Sequence, residues 1–171
     1  ALPIFNYSSG EFLDIPAITA AGHAAGAVVG WDLAHAAGNL PLRLHEWDVD
    51  WAAWCSYKYL NSGPGSLAGA FVHHKHLADR ALPKFAGWWS TDPATRFAMA
   101  PTVTPVDSAD SWQLSNPPIL AMAPVLVSLE LFDDVGLNAL RDKSIRLTGH
   151  LESALDEVCE GRELEIITPS D

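Results

Sequence analysis

The chain has 171 residues, 49% hydrophobic and 18% charged, so it can bury a core and is not disordered by composition. Its formal net charge of −11 excludes a basic nucleic-acid footprint and argues against attraction to an anionic membrane surface. Two cysteines, Cys55 and Cys159, make neither a disulfide framework nor by themselves a zinc site, and they suit a reducing cytoplasm.

The chain opens on Ala1, with no basic-then-apolar leader, in material that reads as the middle of a domain; the expectation is a fragment. Residues 1–14 read as loop, with Ser8, Ser9 and Gly10 as turn formers. A helix is predicted from Asp14, as cap, through Pro16 in its first turn to Gly26. Three short apolar runs follow: residues 27–32, 50–57 and 69–73. Their order after a helix is the grammar of an α/β sheet with mainly parallel, buried strands. Residues 76–115, rich in Pro, Asp, Thr and Trp, read as long functional loops. A helix is expected from the Ser115–Pro118 cap to about Phe132. A second follows Gly136, with Leu137, Leu140, Leu147, Leu151, Leu155 and Val158 at three-and-four spacing, and stops at Gly161. Leu164–Ile167 reads as the start of another strand. The longest apolar run, near Ile119–Val127, is well short of the roughly 20 residues that cross a bilayer.

The most informative stretch runs from Cys55 through Ser56, Tyr57, Lys58, Tyr59, Leu60 and Asn61 to Ser62, Gly63, Pro64 and Gly65. Lys58 is one of four lysines, and it follows a buried strand among aromatics and a glycine turn. Partial burial would depress its pKa and suit it to a Schiff base with an aldehyde; the bland reading is a surface lysine at a strand end. Asp32 ends the first run, with His35 three residues on. Ligands of open α/β sheets bind outside the carboxyl ends of the strands. A carboxylate there can hold a pyridine nitrogen protonated, as pyridoxal phosphate (PLP) requires to act as an electron sink. Taken singly, Asp32 reads as a cap and His35 as a packing histidine; together with Lys58 they form the set that PLP chemistry needs.

Gly30–Asn39, Trp54–Asn61, Gly87-Trp88 and Ser115–Leu120 resemble the kynureninase family, and the resemblance runs from about residue 6 to about residue 155. The Asp-x-x-His pair is shared with the wider class V aminotransferase group. The Ser-Tyr-Lys-Tyr-Leu-Asn run before Gly-Pro-Gly is more particular, since cysteine desulfurases of that group usually carry His where this chain has Tyr57. The resemblance implies a type I PLP-dependent transferase (aspartate aminotransferase-like) fold, α/β with a mixed, mostly parallel sheet. Residues 1–115 would form the second half of a PLP-binding large domain, and 116–171 the connecting helix and the start of a partial C-terminal small domain. It implies PLP-dependent hydrolysis of L-kynurenine or 3-hydroxy-L-kynurenine, giving anthranilate or 3-hydroxyanthranilate and L-alanine, in a cytoplasmic homodimer. Lys58 would be the Schiff-base lysine, and Asp32 the partner of the ring nitrogen. His35 would contact the cofactor. Tyr57 would bind the phosphate and take part in proton transfer, while Trp88 and Asn116 would contact cofactor or substrate. Alternatives are another class V activity of the desulfurase type, or an inactive remnant serving in assembly.

His73, His74 and His76 match neither the helical pair nor the finger spacing of metal ligands, so they read as a strand end entering a polar loop, and no metal is expected. His45 with Asp48 and Asp50 reads as a solvated turn, and Glu160, Glu163 and Glu165 as a solvated face.

Overall fold

A computed structural model describes residues 1–169. Asp14 caps the first helix, its Oδ1 accepting from Ala17 N–H at 2.9 Å, and Pro16 occupies the first turn, where its missing N–H costs nothing. The helix, α1, spans Ile15–Ala24. Its buried residues, Ile15 and Thr19, face inward, and Trp31 Nε1–H donates to Thr19 Oγ1 at 3.0 Å. Both partners are fully enclosed, so the indole N–H finds an acceptor that burial would otherwise deny it.

Trp31 belongs to the second of four strands: β1 (Leu2–Pro3), β2 (Gly30–Asp32), β3 (Trp51–Cys55) and β4 (Ala68–Val72). They lie in chain order in one sheet, with β1, β2 and β3 parallel and β4 antiparallel to β3. This is the mixed, mainly parallel α/β sheet expected from the sequence. Gly30 is needed where it stands, since a Cβ there would come within 2.0 Å of the Trp51 indole lying beside it. Ile4, Ile15, Val29, Trp31, Leu33, Ala36, Leu40, Val49 and Ala52 form the core.

One carboxylate closes the amino end of β2 and β3. Asp50 Oδ2 accepts from Val29 N–H at 2.7 Å and meets His23 Nε2 at 2.8 Å; its Oδ1 meets His76 Nε2 at 2.7 Å and Lys75 Nζ at 2.9 Å. Burial alone would raise its pKa. The bonds from Lys75, the Val29 amide, His76 and His23 outweigh burial and hold the carboxyl far below the usual range. Asp50 therefore ties α1, β2 and the exit of β4 to the start of β3, and is no part of a solvated turn.

Two expectations need correction. Leu2–Pro3 pairs with β2 and is not loop; two residues are too few to show alternation. Residues 164–167 form no strand, because no neighbour among the described residues takes up their backbone groups. Residues 76–115 are loop interrupted by single 3₁₀ turns at Trp88–Ser90 and Ala109–Trp112. The long helices are α2 (Ile119–Val135), which begins after Pro118 and runs three residues past its expected end, and α3 (Leu137–Cys159), separated by Gly136 at φ +81°. The stripe of Leu147, Leu151, Leu155 and Val158 is present on α3, but all four side chains are exposed. No helix of the described residues is long and apolar enough to cross a membrane.

Candidate active site at the carboxyl end of the sheet

Beyond β3 the chain makes a closed loop, and three serines clasp its base. Ser62 N–H donates to Ser56 O at 3.1 Å, and Ser62 Oγ–H to the same carbonyl at 2.5 Å. Ser66 Oγ lies 2.7 Å from both Ser56 Oγ and Ser62 Oγ, and Ser56 Oγ–H also donates to Leu67 O. Ser56 and Ser62 are buried, so each hydroxyl must find its partner inside the clasp. Within the loop Asn61 N–H donates to Lys58 O at 2.9 Å, with Asn61 at φ +54°. From α2, Ser128 Oγ–H donates to Leu60 O.

Lys58 rides on this loop. The segment after β2 comes to meet it. Leu33 N–H donates to Ala53 O at 2.8 Å, and the chain then coils through Ala36, Ala37 and Leu40. Gly38, at φ +83°, lets this coil press on the Lys58 loop: a Cβ there would stand 2.8 Å from Tyr59 C and 2.9 Å from Leu60 N. The approach brings His35 Nε2 to 3.2 Å from Lys58 Nζ. Asp32, in register with Ala53, is exposed at the same end of the sheet, and its Oδ1 accepts from Ala34 N–H at 2.9 Å. Tyr57 is half exposed. The neighbouring Cys55 thiol raises the phenol pKa above its ordinary value.

Asp32, His35, Tyr57 and Lys58 thus share one end of the sheet, while Trp88 and Asn116 lie on the loops between β4 and α2. Trp88 is on the 3₁₀ turn with its ring 5.2 Å from that of Phe97. Asn116 is exposed, accepting from Ser115 Oγ–H at 3.1 Å. Neither makes a hydrogen bond to Lys58, His35 or Asp32 among the described residues. Gly38, the serine clasp and Ser128 escape the sequence reading, since their spacing follows neither a helical nor a strand period.

No protein-family model matches the sequence. Individual proteins do. The chain is 68% identical over 166 residues to a kynureninase of Salinispora tropica, an alignment covering 97% of this chain and 39% of that protein. It is 58% identical over 164 residues to a kynureninase of Koribacter versatilis, covering 96% and 38%. The chain is thus similar to kynureninases over nearly its whole length. It spans about two fifths of the length of these kynureninases. Among solved structures, a cysteine desulfurase of Escherichia coli superposes with a TM-score of 0.69 at 21% identity, covering 91% of this chain and 37% of that one. An alanine–glyoxylate aminotransferase of Nostoc gives 0.62 at 20%, covering 93% and 41%. These likenesses establish the fold. The high identities to kynureninases set the chain apart from the desulfurases with which it shares that fold.

Proposed function

We propose that the chain carries the Lys58 half of a kynureninase active site, and that the protein it serves hydrolyses L-kynurenine or 3-hydroxy-L-kynurenine to anthranilate or 3-hydroxyanthranilate and L-alanine, with PLP as cofactor. One observation carries the reading: the Lys58 amine and the His35 imidazole stand 3.2 Å apart at the strand end that also bears Asp32. An amine, a carboxylate, an imidazole and a phenol on one sheet edge are the donor set that suits an aldehyde, a pyridine nitrogen and a phosphate on one coenzyme. When bound, PLP supplies the electron sink for cleaving the carbon–carbon bond.

Each residue has a task that follows from its position. Lys58 provides the amine that condenses with the aldehyde. His35 accepts or returns a proton at Lys58 Nζ, which requires contact distance. Asp32 holds a proton on the ring nitrogen by opposite charge. Tyr57, its pKa raised, stays protonated at neutral pH and can donate to phosphate. Trp88 and Asn116 complete the pocket around cofactor or substrate. Residues 1–115 belong to the large domain, and 116–171 lead into the small one. A cytoplasmic homodimer working in tryptophan catabolism and NAD biosynthesis is part of the same reading.

The test uses a protein of the relatives' full length that carries this segment. It should release anthranilate from kynurenine and no sulfide from cysteine. Lys58→Ala should bring anthranilate release to background, and Asp32→Ala should lower kcat about 100- to 1,000-fold. Sulfide release, or near-normal rates for Asp32→Ala, would refute the assignment.

A further inference from the structure

Five of the chain's seven histidines, His23, His45, His73, His74 and His76, collect at the end of the sheet opposite Lys58. Two are committed to Asp50. The other three face one another. His45 comes from the connection between β2 and β3, and His73 and His74 from the exit of β4. His45 Nε2 lies 2.8 Å from His74 Nδ1, and one ring nitrogen from each of the three falls within 4.8 Å of the others.

We propose that His45, His73 and His74 bind one divalent ion of the zinc, nickel and copper class, clipping the β2–β3 connection to the end of β4. The backbone under the three rings is fixed. His73 N–H donates to Asp50 O at 2.9 Å, and the His45 turn is closed by Asp48 N–H on His45 O at 3.1 Å and Val49 N–H on Leu44 O at 3.0 Å. His73 is buried and presents a set ring; His45 and His74 are exposed, with their rings stacked on it and on each other at centroid separations of 4.5–4.8 Å, and they turn out of that stack to converge on an ion.

A tetrahedral zinc with bonds of about 2.0–2.1 Å holds its nitrogens roughly 3.3–3.4 Å apart. The 2.8 Å pair must open by about half an ångström and the wider separations close, which swings of the two exposed rings supply. Three imidazoles with no carboxylate select the late first-row ions over magnesium and calcium. Asp48 Oδ1, 3.6 Å from His73 Nε2, is engaged by Lys75 Nζ at 2.8 Å. His73 Nδ1 accepts from Lys75 N–H at 3.2 Å, which sets the ring and leaves Nε2 as the nitrogen open to an ion. Three protein nitrogens leave the fourth position to water. No residue of the Lys58 site takes part, so the inference stands or falls apart from the kynureninase reading.

The experiment takes a tag-free, metal-stripped protein of the relatives' length that carries this segment and titrates it with Zn²⁺ by calorimetry and with Co²⁺ by visible absorption. Expected are one saturable ion per chain, a rise in Tm with added Zn²⁺, and at least about 10-fold weaker binding in His45→Ala and in His74→Gln, with Lys58→Ala binding like the parent. No saturable binding, or binding unchanged in the two histidine variants, would overturn it. If a variant fails to fold, the Co²⁺ spectrum of the parent decides: the intense bands of a nitrogen-bound, four- or five-coordinate ion support the site, and the pale spectrum of the hydrated ion removes it.

Discussion

A methyl group at Gly38 would collide with the backbone of Tyr59 and Leu60, and the positive φ there would be strained for any other residue. Gly38→Ala should therefore cost about 2–4 kcal/mol, combining left-handed strain with overpacking, measurable by urea denaturation. It should also separate His35 from Lys58, because that 3.2 Å contact depends on the two loops touching. A variant as stable as the parent would show that the approach is not required. At this scale the sequence reveals the chemistry better than its support. Lys58, Asp32, His35 and Tyr57 are legible as residue types that PLP needs, and the fold brings all four to one edge. Gly38 and the Ser56–Ser62–Ser66 clasp have no pattern to be read, since each acts through a contact with a distant or looped segment.

The elements show the same division. Helix α1 is readable because its cap and early proline are local, and β2, β3 and β4 because each is a short apolar run. β1 is missed and a strand at 164–167 is wrongly expected, since strands exist by pairing and pairing is non-local. The bond between the elements at the amino end of the sheet is Asp50. Its folded-state pKa lies below the unfolded value, so the unfolded chain takes up the proton first as the pH falls. Its stabilisation is full above the ordinary carboxylate value of about 4 and shrinks as the medium is acidified below it. Asp50→Asn should cost about 3–5 kcal/mol at neutral pH, because it leaves the Lys75, His23 and His76 partners short of a charge. Its Tm should also fall less steeply than the parent's below pH ~4. Parallel Tm curves for the two proteins would show that Asp50 does not carry the acid sensitivity.

Across the whole molecule, the sheet separates two chemistries. Its carboxyl end gathers Lys58, His35, Asp32 and Tyr57; its amino end gathers the Asp50 hub and the three facing histidines. The sequence shows the residues of the second group, read there as a polar loop and a solvated turn, but not their meeting, because His45 and His74 are 29 residues apart and come together only when β4 folds back along β3. The apolar sides of α2 and α3 are open, as Leu120, Leu126, Leu151 and Leu155 show. The chain matches the kynureninases it resembles over about two fifths of their length. The claim on which the functional reading turns is that Lys58 alone among the four lysines anchors the cofactor. It is tested most directly by adding PLP to a protein of the relatives' length carrying this segment, reducing with borohydride and mapping the peptides. The pyridoxyl group should be found on Lys58 and not on Lys75, Lys84 or Lys143. Label on another lysine, or spread over several, would contradict the account.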